Sequence, residues 1–443
     1  MGIVVLNHNH DGENCIPHLK EAIFQINHTG QEHAGICAYN PDLYDDERNI
    51  IRYTANGPVR DLEIPKSVEA YSGIGNVSKH RDHQPLYFED SPLGQFSLTF
   101  DGYIGNREEI KKQLRVPLFG KNDAELAAHL ISLGDDFPDG VQKMSDLIDG
   151  CFTLGILTGD GELYAARCPK ATKPLSYGRG KRGFAAISES RAFRKIGMTY
   201  DGDFEPGQIV RIDNYGIHTV KRMPTKKIDV CSFLWGYYSW VDSYVDGVSV
   251  GAVREAAAKK VAKRDIENGL RIDVATSIED SGKSYGEGAA EAFDVPYKST
   301  LIKYPYYFRS YDTPKNKRKG VAFGKVSTVD FRIEGKKMYI WDDSLRRGTV
   351  IHNLIDLLKK ANPDEIHLRF GTPRNTHFCL YDYKDQPDDV LPANRYKTDE
   401  ELAKFLKVDS VGFPTLDEWV KSIEETSNGN IDRKNLCLRC YEE

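Results

Sequence analysis

No apolar run in the sequence approaches the ~20 residues that a helix needs to cross a bilayer, which excludes a membrane-spanning helix. Nor is there an excess of positive charge. Sixty Lys and Arg against 66 Asp and Glu leave a net charge of -6, so the chain has no general attraction for nucleic acid or an anionic membrane. The opening "MGIVVLNHNHDGENC" has no basic segment and only a short apolar run, so it does not read as a signal peptide. Internal repeats and low-complexity segments are also lacking. What is there is 443 residues, 40% hydrophobic and 28% charged, the balance of a globular protein long enough for more than one core. The eight cysteines, with no secretion signal, point to a cytoplasmic location. Thiols there are more often reduced, metal-bound or catalytic than disulfide-bonded.

The first half predicts strands. "GIVVL", "HAGICAY", "FSLTFDGYIG", "CFTLGILTG", "ELYAARC", "GFAAIS" and "GQIVRID" are short apolar runs bounded by Gly, Asp and Asn. Two stretches with helical spacing interrupt them, 17–26 and 123–134. Few helices among many strands imply sheet packed on sheet with helices outside. The second half alternates: helices at 253–269, "KSYGEGAAEAF" and 349–362, strands at "RIDVATS", "DVPYKSTLI", "KKMYIWDDS" and "PDEIHLRFGTP". That rhythm implies βαβ units and a mainly parallel sheet. A boundary is expected near 225–245, and a tail from 395 with two short helices and a Cys-rich end.

"KKMYIWDDSLRRGTV" (336–350) carries the first chemical signal. An apolar strand runs into Asp342 and Asp343, then Ser344, two arginines, Gly348 and Thr349. Ligands of open α/β sheets bind outside the carboxyl ends of strands. A helix N-terminus favours phosphate. Gly348 allows close approach, and Ser344 and Thr349 offer hydroxyls. Two acids there can hold Mg²⁺ or vicinal ribose hydroxyls. The stretch can bind a sugar phosphate; its plain rival is an acidic strand-to-helix turn.

"IWDDSLRRGTV" resembles the phosphoribosyl pyrophosphate (PRPP) loop of type I phosphoribosyltransferases. "DSG" (280–282) and "LIKYPYYFRSY" (301–311) resemble two further elements of one subfamily, the glutamine PRPP amidotransferases. "NHTGQEHAGI", "FDGYIGNREEIKKQL", "NDAELAAHLI", "LYAARCPKATKPLSYG" and "EPGQIVRID" match that family's glutaminase half in order, and "PANRYKTDEELAKFLKVDSVGFPTLDEW" follows its C-terminal half. The resemblance implies α/β plus α+β architecture. An N-terminal Ntn-hydrolase-type αββα sandwich, class II glutaminase-like, would span 1–228. A type I phosphoribosyltransferase α/β domain with a Cys-rich tail would span 229–443. It implies that Asp342, Asp343, Ser344, Arg347, Gly348 and Thr349 bind PRPP. It further implies that Ser281 with the two acids holds Mg²⁺, and that Tyr306 and Arg309 act from the closing loop.

The family's glutaminase nucleophile is an N-terminal cysteine, whose own α-amine is the base. Here Met1 stands there, and a thioether is no such nucleophile. The arginine expected to hold the glutamine carboxylate is replaced in Asn76-Val77-Ser78-Lys79. The oxyanion Asn-Gly is Asp101-Gly102, and an aspartate opposes the charge that site stabilises. Asp123 alone is retained. Cys15 is internal and has no free amine beside it. The glutaminase half is therefore expected to be a silent scaffold.

Cys437-x-x-Cys440, Cys231 and Cys379 fall where iron–sulfur members of the family place cysteines, implying a [4Fe–4S] cluster, with a zinc site as the rival. Cys37, Cys151 and Cys168 lie in strand-like runs and read as core. "YGRGKRG" (177–183) reads as a hairpin turn, and "HNHDGENC", "KHRDH" and "PKNKRKG" as surface turns. "VAFGKVS" (321–327) departs from the family pattern, with Lys325 retained. The expected function is PRPP-dependent transfer to ammonia or another amine, as in purine biosynthesis, by a homo-oligomer (dimer or tetramer). The alternatives are a non-catalytic PRPP- or nucleotide-binding paralogue and a transferase with a different acceptor in a specialised pathway.

Overall fold

The structure, a computed structural model, describes residues 2–8, 13–42, 49–114, 118, 122–303, 326–346, 348–381 and 390–441. Met1, Tyr306, Arg309, Lys325, Arg347 and the Thr349 side chain lie outside what is described. The chain divides into two compact units. The first comprises Met1–Cys231, Ser243–Gly247 and Lys434–Cys437; the second comprises Ser232–Asp242, Val248–Arg433 and Leu438–Glu443. Among the described residues no helix is long and apolar enough to cross a membrane.

The first unit is two stacked sheets. One runs, in spatial order, Thr199–Asp203, Ser176–Gly180, Gly183–Ile187, Gly2–His8, Ser72–Ser78, His33–Tyr39 and Ile50–Ala55. The other runs Gly216–Arg222, Gln208–Asp213, Leu163–Arg167, Gly150–Thr158, Phe96–Ile104 and Leu86–Phe88. Ile3, Val5, Ile74, Leu157, Ala165 and Val210 fill the layer between them. Helix Ile16–Gln25 covers the outer face of the first sheet through Leu19 and Ile23, and Asp123–Ile131 lies on the second. This is the expected αββα sandwich.

The Ser72–Ser78 strand was not among the sequence expectations. "SGIGNVS" has too little apolar, β-branched content to read as a strand. It nonetheless pairs on both sides, with Gly2–Asn7 and with His33–Tyr39. Its glycines explain it. A Cβ on Gly75 would sit 2.6 Å from Ile23 Cγ2, and one on Gly73 2.8 Å from Leu19 Cδ2, so the helix can only lie this close over glycine. The first half also holds more helix than expected. Arg107–Leu114, Phe137–Leu147 and Arg191–Lys195 are additions. Phe137–Leu147 hides its period behind Pro138 and Gly140 but is started by Asp136, whose Oδ1 accepts from Asp139 N at 2.7 Å; such caps contribute about 1 kcal/mol. The 177–183 hairpin is as expected, with Gly180 opposite Gly183. Cys37, Cys151 and Cys168 are buried.

The second unit is built on a parallel sheet ordered Val274–Ser277, Lys337–Asp342, Glu365–Phe370 and Ser410–Gly412. The last strand corrects the reading of the tail as helices alone; three residues carry too short a pattern to detect. Met338, Tyr339, Ile340 and Trp341 are fully buried, as a central parallel strand covered on both faces demands. Helix Val250–Glu267 starts three residues before the expected 253, because Ser249 Oγ caps Ala252 N. Helices Lys283–Phe293 and Thr349–Lys359 follow the first and second strands of this sheet.

Candidate functional site

The Lys337–Asp342 strand delivers Asp342 and Asp343 to its carboxyl end. Asp343 is only 7% exposed. Both its oxygens accept hydroxyls, Oδ1 from Ser344 Oγ at 2.6 Å and Oδ2 from Ser281 Oγ. Asp343 N donates to Asp342 Oδ1 at 2.9 Å. The next strand end pins the backbone: Gly371 N donates to Asp342 O and Asp343 O at 2.9 and 3.0 Å, and Thr372 N to Asp343 O at 3.0 Å. Burial, and then the neighbouring Asp343 charge, hold the Asp342 carboxyl well above the usual range. Burial also raises Asp343, partly offset by the Ser281 and Ser344 hydroxyls. Among the described residues neither acid forms an ion pair with Lys, Arg or His, and both carboxyls are shifted toward the protonated form.

Leu345 is buried in the core with Ile340 and Ile355. Gly348 adopts φ 72°, which only glycine takes without strain. It caps the Thr349–Lys359 helix, and His352 N donates to its carbonyl at 3.1 Å. The first amides of that helix have no intrahelical acceptor and suit a phosphate. Ser281, Asp342, Asp343 and Ser344 are thus brought together, with Gly348 at the cap of the following helix, while Arg347, Tyr306 and Arg309 lie outside the described residues. Ser281 and the two acids present only oxygen donors, the set that Mg²⁺ prefers. Among the described residues the acids have no ion-pair partner, so the residues fit that ion. Asp280, beside Ser281, pairs instead with Lys303 Nζ at 2.9 Å.

The other candidate acids sit in the first unit and differ in kind. Asp101, 3% exposed, pairs with Lys173 Nζ at 2.9 Å. Burial, the largest single influence, would raise its carboxyl, but the nearby positive charges, Lys173 foremost, together with the Lys173 hydrogen bond make the net shift downward. Asn76 is buried and its Nδ2 donates to Gly2 O at 3.4 Å, with Oδ1 unpartnered. Asp123 is consumed locally: Oδ2 accepts from Ile104 N at 2.9 Å and Oδ1 from Arg107 at 2.8 Å. A Cβ on Gly102 would lie 2.5 Å from the Phe100 ring, so this glycine is sterically required. Cys15 is fully buried and its thiol is pushed up to about 12 by burial, which removes it as a nucleophile at neutral pH. Lys173 and Arg107 carried no signal in the sequence, since a lysine in a loop or an arginine at a helix start looks solvated until its partner is known.

The four half-buried cysteines of the expected cluster are not disulfide-bonded. Cys231 and Cys437 are register partners in a short parallel pairing of the first unit. In the second, Cys440 O accepts from Thr376 N at 2.9 Å and Cys379 Sγ accepts from Tyr381 N at 3.4 Å. Thiols suit iron or zinc, yet among the described residues no three His, Cys, Asp or Glu side chains converge as a metal-binding group.

A family profile described as "Glutamine amidotransferase domain" matches residues 73–195. The amidophosphoribosyltransferase of Bacillus subtilis is 28% identical, with 95% of this chain and 89% of that one covered. A solved structure of glutamine PRPP amidotransferase from B. subtilis, complexed with ADP and GMP, superposes with a TM-score of 0.86 at 27% identity, covering 100% of this chain and 96% of that one. A second, described as the allosteric regulatory enzyme of purine biosynthesis, gives 0.85 at 26% identity, covering 100% of this chain and 95% of that one. These neighbours join an Ntn glutaminase domain to a phosphoribosyltransferase domain, the fold found here. The amidophosphoribosyltransferase of Methanocaldococcus jannaschii is 30% identical across 94% of this chain and 92% of its own length. With that likeness running through both units, the chain belongs to the amidophosphoribosyltransferase family.

Proposed function

We propose that the chain displaces pyrophosphate from C1 of PRPP with ammonia or another amine, and that it does not draw the ammonia from glutamine. The observation that carries the transferase half is the Asp342–Asp343 pair, without a contacting cation among the described residues, leading through Gly348 into a helix N-terminus. In this reading Asp342 and Asp343 bind the ribose hydroxyls and, with Ser281, hold Mg²⁺. Ser344, Arg347, Gly348 and Thr349 receive the 5-phosphate, and Tyr306 with Arg309 act from the loop over PRPP. Bound Mg²⁺ neutralises charge on the departing pyrophosphate. The C1–O bond to pyrophosphate breaks, the C1–N bond forms, and the amine nitrogen loses a proton. The protein's residues contribute position and charge rather than covalent chemistry.

The silent glutaminase is supported by Met1 in the sequence, by Asn76 bound to Gly2 O, by Asp101 paired with Lys173 and by Asp123 tied to Arg107. Cys231, Cys379, Cys437 and Cys440 remain the candidate ligands of a [4Fe–4S] cluster or zinc, and no step of the reaction passes through them. A homo-oligomer, dimer or tetramer, belongs to the same reading.

The test is pyrophosphate release from PRPP and Mg²⁺, anaerobically, with ammonium and with no amine. Release that depends on ammonium supports a working transferase. A second reading, a PRPP-binding paralogue without turnover, is favoured by Asp280 being held by Lys303; PRPP binding by calorimetry with no release under either condition would establish it instead.

A further inference from the structure

We propose that Tyr285, backed by Arg254, is a positioning residue for the acid pair and acts through the backbone of Gly371; this rests on the reading of Asp342 and Asp343 as PRPP ligands. Tyr285 is fully buried on the helix that follows Ser281. Its ring lies nearly parallel to Trp341, the residue before Asp342, with centroids 6.0 Å apart and 6° between planes. Its hydroxyl donates to Gly236 O at 3.0 Å. The Arg254 guanidinium stands 5.9 Å from the ring centroid. Arg254 is itself held by backbone carbonyls, Nε donating to Trp235 O and Nη2 to Ser239 O, each at 2.8 Å. A buried cation with neutral acceptors keeps its charge directed at the aromatic face and the acids beyond it.

The connection to the acids is steric. A Cβ on Gly371 would lie 2.1 Å from Tyr285 Cζ, so with the ring in place residue 371 can only be glycine. The amide of that same residue donates to both Asp342 O and Asp343 O, and the next amide to Asp343 O. The ring therefore sets how near the 371–372 backbone approaches, and that backbone sets where the acids stand. Gly236, which receives the Tyr285 hydroxyl, is pressed equally: its Cβ would sit 2.4 Å from Thr372 Cγ2. Tyr285 thus touches two glycines, its ring abutting Gly371 and its hydroxyl donating to Gly236 O. An aromatic that merely filled volume would alter stability and leave PRPP affinity alone once the protein had folded.

The test uses the full-length chain with PRPP and Mg²⁺, read by calorimetry and by ammonium-dependent pyrophosphate release, with circular dichroism checking the fold. Gly371→Ala is expected to raise Kd and KM for PRPP about tenfold, more than it lowers kcat, by moving the acids. Tyr285→Leu removes the stop from the other side and is expected to weaken binding about fivefold, whereas Tyr285→Phe, which keeps the ring, stays within about twofold. The double variant Gly371→Ala/Tyr285→Leu makes room for the methyl group and is expected to regain part of the affinity lost by Gly371→Ala. Unchanged PRPP affinity in folded Tyr285→Leu, or in folded Gly371→Ala, overturns the proposal. Absence of PRPP binding by the unaltered protein is a different result, which overturns the PRPP reading itself.

Discussion

Asp101 and Asp343 are both buried, Asp101 within the strand Phe96–Ile104 and Asp343 just past the end of Lys337–Asp342. They differ in what surrounds the charge. Lys173 reaches Asp101 at 2.9 Å and keeps its carboxyl below the usual range. Asp343 meets hydroxyls and the carboxyl of Asp342, and both acids are raised. A buried acid compensated from within leaves nothing for a ligand to supply. A buried pair only partly compensated, by hydroxyls and the Arg254 charge beyond hydrogen-bond reach, is favoured to accept a cation or hydroxyl-rich ligand, because the ligand relieves a cost the fold already carries. The same residue type thus marks a closed site in one unit and an open one in the other.

The comparison can be broken first at the acids. Asp343→Asn is expected to lower ammonium-dependent pyrophosphate release about 10²–10³-fold, while Asp101→Asn leaves it within about twofold; equal losses in steady-state assays would erase the distinction. Next comes the lysine. Lys173→Met leaves Asp101 buried and uncompensated and is expected to cost about 3 kcal/mol in urea unfolding, discounted for the partial exposure of the lysine. No change in midpoint would mean the ion pair is not what holds that site.

A third buried acid sharpens the contrast. Asp203 accepts from Ser176 Oγ at 2.6 Å and from Tyr200, and Gly247 N donates to it at 3.0 Å. Burial, and then the Asp246 charge, push it up to about 6, against the pull of Arg167. A carboxyl raised in the fold binds its proton more tightly folded than unfolded. Its contribution is therefore fully present below pH ~4 and lost as pH rises to ~6. Wild type is expected to lose about 2 kcal/mol of unfolding free energy over that window relative to Asp203→Asn. Parallel curves for the two proteins would contradict the assignment.

Much of this was legible before the fold. The strands "HAGICAY" and "CFTLGILTG", the helix at 283–293 and the acids after "YIW" follow from apolar runs and their punctuation. Ser72–Ser78 escaped because its glycines answer to a helix packed above them, Leu19 and Ile23, which no local pattern reveals. Ser410–Gly412 escaped because a short edge strand is specified by its neighbour. In the open site, "DDS" and "GT" advertised themselves. Tyr285 and Arg254 did not, since a tyrosine among glycines and an arginine among alanines look like ordinary helix residues until burial is known. Lys173 was silent for the same reason.

The smallest expected effect is a null one. Met1→Cys alone is expected to give no glutamine-dependent turnover above background, because Asn76 and Asp101 still stand where carboxylate and oxyanion recognition are needed; glutaminase activity from that single change would refute the account of the closed site.

The most direct measurement compares ammonium with glutamine as the nitrogen source for pyrophosphate release from PRPP and Mg²⁺ in the same preparation. The account predicts release with ammonium and none above the amine-free blank with glutamine. Release with glutamine matching that with ammonium would contradict it, and would mean that the first unit still delivers ammonia despite the Lys173-compensated acid.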